Sequence, residues 1–146
     1  MTNYLSAEAL ILARLTEQLT GVRAVLSAAD LEGVAESAQV TPAVHVVFGG
    51  YRPTKASHDD RVVETEQTWQ VVVAVKNLRS AKTGEHARET AGELCADVLA
   101  ALQGWRPSPE HQPLSLAPGP RPGFSKGFAY FPLAFTTRVV ARGSNP

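Results

Sequence analysis

The chain has 146 residues, 44% hydrophobic and 19% charged, and its 14 basic side chains are balanced by 14 acidic ones. Apolar content that high, in a chain long enough to bury most of its unfolded surface, excludes wholesale disorder and points to one globular domain. A sequence pI near 6.9 leaves no global field to gather phosphates, so free-standing nucleic-acid binding is disfavoured.

The single cysteine, Cys95, cannot form an intramolecular disulfide, and with 4 scattered histidines it supplies no thiolate-rich zinc site. These features suit a reducing cytoplasm. No apolar run reaches the roughly 20 residues a bilayer span needs. Met1 to Tyr4 lacks the basic region of a secretory signal, so neither export by that route nor membrane anchoring is expected.

In chain order, Leu5, Ala9, Leu12, Leu15, Thr16 and Leu19 recur at helical spacing, with Glu8, Arg14 and Glu17 opposite. The expected amphipathic helix has Ser6 as N-cap and Gly21 as a left-handed C-terminal residue. Val22 to Leu26 follows as a weak strand, and Ser27 to Thr41 reads as a loop with at most one helical turn. Val44 to Phe48 is a strand stopping at Gly49-Gly50, and Tyr51 to Arg61 is then expected to be a polar, mobile loop. Val62 to Val75 alternates so that Val63, Thr65, Gln67, Trp69, Val71, Val73 and Val75 face a core. The other face carries Glu64, Glu66, Thr68 and Gln70, and turns apolar only in its second half. That second half is central or covered, while the first half faces solvent or a partner.

A second helix, with Thr83 as cap, places Ala87, Ala91, Leu94, Cys95, Val98 and Leu102 on one side and ends at Gly104. Prolines crowd the segment from Trp105 to Gly127, leaving room for a short edge strand at Leu114 to Leu116. Ala129 to Arg142 is a last long strand whose start, at Pro132, is expected on an edge. The fold class is therefore α+β: a mainly antiparallel sheet with two helices packed on one face, over residues 1–142, followed by a flexible tail of residues 143–146.

No glycine pattern forms a phosphate-cradling motif. His58, Asp59 and Asp60 are adjacent and cannot all aim at one ion, so they read as a solvated loop tip. His45 reads as a surface or interface histidine, and Cys95 as a small hydrophobe on a helix stripe. Trp69 reads as a core ring, and Trp105 as packing back over the second helix. Arg121, Lys126, Arg138 and Arg142 with Phe124, Phe128 and Tyr130 have the look of a nucleic-acid surface, but acidic residues elsewhere balance them. No catalytic, metal or cofactor residue is assigned.

The order of stations resembles the tail terminator proteins of long-tailed bacteriophages with flexible tails. The resemblance rests on the first helix closing at Gly21-Val22, on Thr41-Pro42-Ala43-Val44 opening a strand, and on Phe48-Gly49-Gly50-Tyr51 entering a polar loop. It rests also on the long strand ending Val71 to Lys76, on Leu102-Gln103-Gly104-Trp105 before a proline-rich segment, and on the last strand. It implies a non-enzymatic, hexameric ring subunit that caps the tail tube, stops its polymerisation and meets head-completion or neck proteins, with DNA passing through the hole. On that reading Arg52, Lys55, His58, Asp59, Asp60 and Arg61 form an assembly or lumen loop, with Arg52, Lys55 and Arg61 flanking the hole. Glu64, Glu66, Gln70, Arg121, Phe124 and Lys126 are candidate inter-subunit contacts. A neck or tail-tube protein of the same particle is the near alternative, and a small cytosolic ligand-binding or enzymatic domain the remote one.

Overall fold

Two long stretches, one rich in β-branched residues throughout and the other only at its start, set the scale of the molecule. In the computed structural model, which describes residues 1–77 and 84–144 (backbone alone for 84–87), they become β2 (Ala43–Ala56) and β3 (Val62–Lys76). The other elements are α1 (Ala7–Gln18), β1 (Ala24–Ser27), α2 (Ala28–Leu31), a 3-10 turn (Glu36–Ala38), α3 (Gly84–Leu102), β4 (Ser115–Ala117), β5 (Gly123–Ser125) and β6 (Phe128–Arg142). The sheet runs β1-β2-β3-β6-β4, with β5 also pairing β6. β1 is parallel to β2 and every other pair is antiparallel. The α+β class follows, with α1 and α3 sharing a core with one sheet face.

That core contains Ile11 and Leu15 of α1, Leu94, Val98 and Leu102 of α3, and Val44, Val46, Trp69, Val71, Val73 and Phe135 of the sheet. The β3 alternation is as the sequence dictates: Thr65, Gln67, Trp69, Val71, Val73 and Val75 are buried, and Glu64, Glu66, Thr68 and Gln70 are half-buried on the other face. Gly104, at φ +76, ends α3. The following chain doubles back, Leu114 N–H donating to the Trp105 carbonyl, while the Arg14 guanidinium lies over the Trp105 ring 5.4 Å from its centroid. Thr83, Asn145 and Pro146 lie outside the described residues.

Several expectations need correction. The buried stripe of α1 is Ala7, Ile11 and Leu15, while Leu5, Ala9 and Thr16 are exposed. Apolar residues surround much of this helix, so spacing alone does not fix its phase. Ser6 occupies the N-cap without a side-chain bond, and the helix ends on an extended Leu19, not on a left-handed Gly21. Tyr51 to Ala56 is not a loop; it continues β2 through register shifts at Gly49-Gly50 and at Thr54. The connection shrinks to a turn in which Ser57 N–H donates to the Val62 carbonyl and Asp60 takes φ 58.

The start of β6 is not on an edge, since Phe128 to Tyr130 pair with both β3 and β5; Pro132, opposite Val72, has a strand on one side only among the described residues. It falls between the stretches of β6 that pair β5 and β4, where no third strand needs its missing N–H. The proline-rich segment reaches outward less than its composition suggests, because Pro107, His111 and Leu114 are buried. The short strand sits at Ser115–Ala117, and a hairpin unseen in the sequence joins β5 to β6 through Lys126 (φ 49) and Gly127 (φ 83).

Candidate assembly surface

Beyond its first four residues, β2 has no strand neighbour on its outer side among the described residues, because β1 pairs only with Ala43 to Val46. The far halves of β2, β3 and β6 therefore form an arm. Its inner face is closed by the N-terminal segment. Tyr4 shares a hydrogen bond with Thr65 Oγ1 at 2.5 Å, its carbonyl accepts from Gln67 Nε2 at 2.6 Å, and its ring meets Tyr51 edge-on. Gln67 Oε1 in turn accepts from Trp69 Nε1 at 3.1 Å, so a buried amide links the arm to the core.

On the outer face, register places Arg52, Glu66 and Arg138 in one cross-strand row, and Lys55, Glu64 and Val140 in the next. Arg52 Nε lies 3.2 Å from Glu66 Oε1, and Arg138 reaches Glu66 at 3.7 Å and Glu64 at 3.8 Å. Thr54 Oγ1 donates to Glu64 Oε1 at 2.8 Å. Glu64 and Glu66 are thus engaged within the chain, and the cations of this face point outward: the side chains of Arg52 and Arg138 are 66% and 53% exposed. Lys55 and Arg142 share the face by register. Pro53, two register shifts and these charges all blunt the free edge against indiscriminate pairing.

His58 and Asp60 are exposed at the turn. Asp59 Oδ1 accepts from Ser57 Oγ at 2.8 Å and from Arg61 N–H at 3.2 Å, and the Ser57 bond first, then the Arg61 bond, hold its carboxyl below its ordinary range. Arg61 is tied back through its carbonyl, which accepts from Gly143 N–H at 2.7 Å. Gln70 lies higher on the same outer face, opposite Val47 and Ala134.

The upper part of that face is covered by residues 28–41. Ser27 and Asp30 form a reciprocal capping box at its start. Further along, Gln39 Nε2 donates to Tyr130 Oη at 2.7 Å, and Glu36 accepts from Tyr130 at 2.7 Å and from Ser125 at 2.8 Å. The Tyr130 and Ser125 bonds hold the Glu36 carboxyl below its ordinary range. Beneath this strap His45, read from sequence as a surface residue, is 6% exposed. Its Nε2 has no hydrogen-bond partner, and burial holds its pKa below the ordinary value. Alternation put it on the correct face; a covering segment whose only large apolar residues are Leu31, Val34 and Val40 gave no sign that the face was covered. Cys95 is half-buried and burial pushes its thiol pKa up, as its place on the stripe requires.

Arg121, Phe124 and Lys126 are exposed around the β5 hairpin, Phe124 at 65%, its ring edge-on to Phe131. They share no row with Glu64, Glu66 and Gln70, so the sequence-derived contacts fall on two separate patches. The sequence reading missed a third patch, the outward face of α3. There Glu89, Gly92, Glu93, Ala96, Asp97 and Ala100 are all exposed at helical spacing. Their spacing, complementary to the buried stripe, was the available signal.

Among the described residues no three His, Cys, Asp or Glu side chains come together as a metal site. No described helix is long and apolar enough to cross a membrane. The family model described as phage tail terminator protein matches residues 1–146, the whole chain, and the chain belongs to that family. No curated protein matches it. The protein is thereby a structural component of a bacteriophage tail, in a family that is not an enzyme class.

Proposed function

We propose that this tail terminator family member closes the head-proximal end of the tail tube as a ring of six copies, stops tube polymerisation there and joins the tail to a head-completion or neck protein. The observation that carries the reading is the arm: three long strands whose inner face is closed by the chain's own N-terminus while, among the described residues, nothing covers the outer face. A closed ring of heterologous contacts covers such a face in every copy, and a monomer leaves it open. Assembly takes place in the host cytoplasm, and no membrane is involved.

Free subunits associate weakly and ring firmly only on the tube, because the blunted edge resists pairing in solution. The hairpin turn, with Arg61, flanks the hole, where positive charge meets passing DNA through its phosphates and reads no bases; Lys55, expected from sequence in the same role, lies opposite Glu64 on the sheet face. Arg52, expected from sequence in the same role, is committed to Glu66 on the sheet face. The patch of Arg121, Phe124 and Lys126 contacts a neighbouring protein of the particle.

The test is tail length. Tails assembled without this protein should overgrow, and adding it should restore a defined length. Normal length in its absence would end the proposal, and extension of the purified protein into tubes would favour a tube protein instead.

A further inference from the structure

We infer that the ring contact joins the outer face of one copy's arm to the outward face of α3 and its surroundings on the next copy. The inference rests on the ring reading and names its interface. The chain is neutral as a whole, yet its two layers are not. The arm's outer face carries Arg52, Lys55, Arg138 and Arg142 against Glu64 and Glu66; past the last strand pair the turn adds Asp59, Asp60 and Arg61. The helical layer carries Glu8, Glu17, Glu89, Glu93 and Asp97 against Arg14 and Arg88. Among the described residues, Lys55 and Arg142 hold no ion pair, nor do Glu89, Glu93 and Asp97. Opposite charge on opposite layers is what a head-to-tail contact between copies requires.

Gly92 supplies an independent indication. It sits in mid-helix on the exposed face, where glycine weakens a helix, and among the described residues no atom beyond its chain neighbours and the helix's own backbone lies within 4 Å of where its Cβ would be. No contact among the described residues calls for a glycine there. With Ala96 one turn on, it leaves a shallow strip between Glu89, Glu93 and Asp97 into which a neighbour's strand face can settle.

The test is a charge swap. One variant carries Lys55→Glu with Arg142→Glu, and a second carries Glu89→Lys with Glu93→Lys. All four side chains lie outside the intrachain ion pairs, and unchanged melting temperatures confirm that both variants fold. Ring formation on tail tubes is then read by electron microscopy. Each variant alone should lose capping at least tenfold, because like charges now meet at every contact. An equimolar mixture should restore it, since alternating copies again oppose unlike charges and an even-numbered ring closes. Gly92→Ala should raise the melting temperature of the free chain yet weaken capping. Wild-type-like rings from either variant alone, or no rescue in the mixture of two folded variants, would overturn this interface while leaving the ring intact. Absence of any ring with the wild-type chain would instead overturn the proposed function.

Discussion

The two halves of the sheet are held by different physics. Near Val44, Val73 and Phe135 the strands are sealed beneath α1 and α3, and the opposite face is roofed by residues 28–41. Around Arg52, Glu66 and Arg138 the same strands run on with polar rows, a tyrosine-bearing N-terminal cover on one side and no described segment on the other. The first half earns its stability from buried apolar area; the second is held by hydrogen bonds and exposed charge pairs of small net worth. A subunit built this way folds on one half and offers the other for assembly.

Removing the core ring should have the largest effect. Trp69→Ala is expected to lower unfolding stability by about 3–5 kcal/mol in denaturant titrations, since a fully buried indole leaves a cavity. A loss below about 1 kcal/mol would break the comparison. Gln67→Ala strands the Trp69 N–H and the Tyr4 carbonyl at the junction of the halves, and should cost about 1–3 kcal/mol.

Acid acts on the roofed half. His45 has a folded pKa below its ordinary value of 6.5, so the unfolded chain binds the extra proton first and stability falls as pH drops below about 6.5. Each unit of depression is worth about 1.4 kcal/mol. His111, depressed mainly by burial and partly offset by Glu110, adds in the same direction. Melting curves of His45→Gln should show a shallower decline between pH 6.5 and 5 than those of the wild type. An equal decline would place the acid sensitivity elsewhere.

Substitutions on the open faces should be the mildest. Gly92→Ala should stabilise the free chain by about 0.5–1 kcal/mol, as expected for an exposed helix interior. Arg138→Ala should change stability by no more than about 1 kcal/mol, because its guanidinium side chain is 53% exposed and its carboxylate contacts are long, at 3.7 and 3.8 Å. A much larger loss would mean that the arm is integral to the core.

The helices, the β3 alternation and the last strand are legible in the sequence because one-sided burial imposes a period. The second half of β2 is not, because Gly49, Gly50 and Pro53 carry the marks of a loop. Two register shifts absorb them, and an edge strand tolerates the proline. The Lys126-Gly127 turn lacks the usual Asn or Asp at its first position. At the candidate surface the sequence marks Glu64 and Glu66 as outward-facing, but their pairing with Arg52 and Arg138 depends on register across strands far apart in the chain. Burial of His45 depends on a strap held by three polar bonds, a pattern without periodicity.

The central claim, that the open half of the sheet is completed by neighbouring copies, is tested most directly by electron microscopy of tails finished with this protein. One closed ring of six copies at the head-proximal end, with the outer face of each arm covered by the next copy, is the expected result. Single copies bound along the tube, or a ring in which that face remains exposed to solvent, would contradict it.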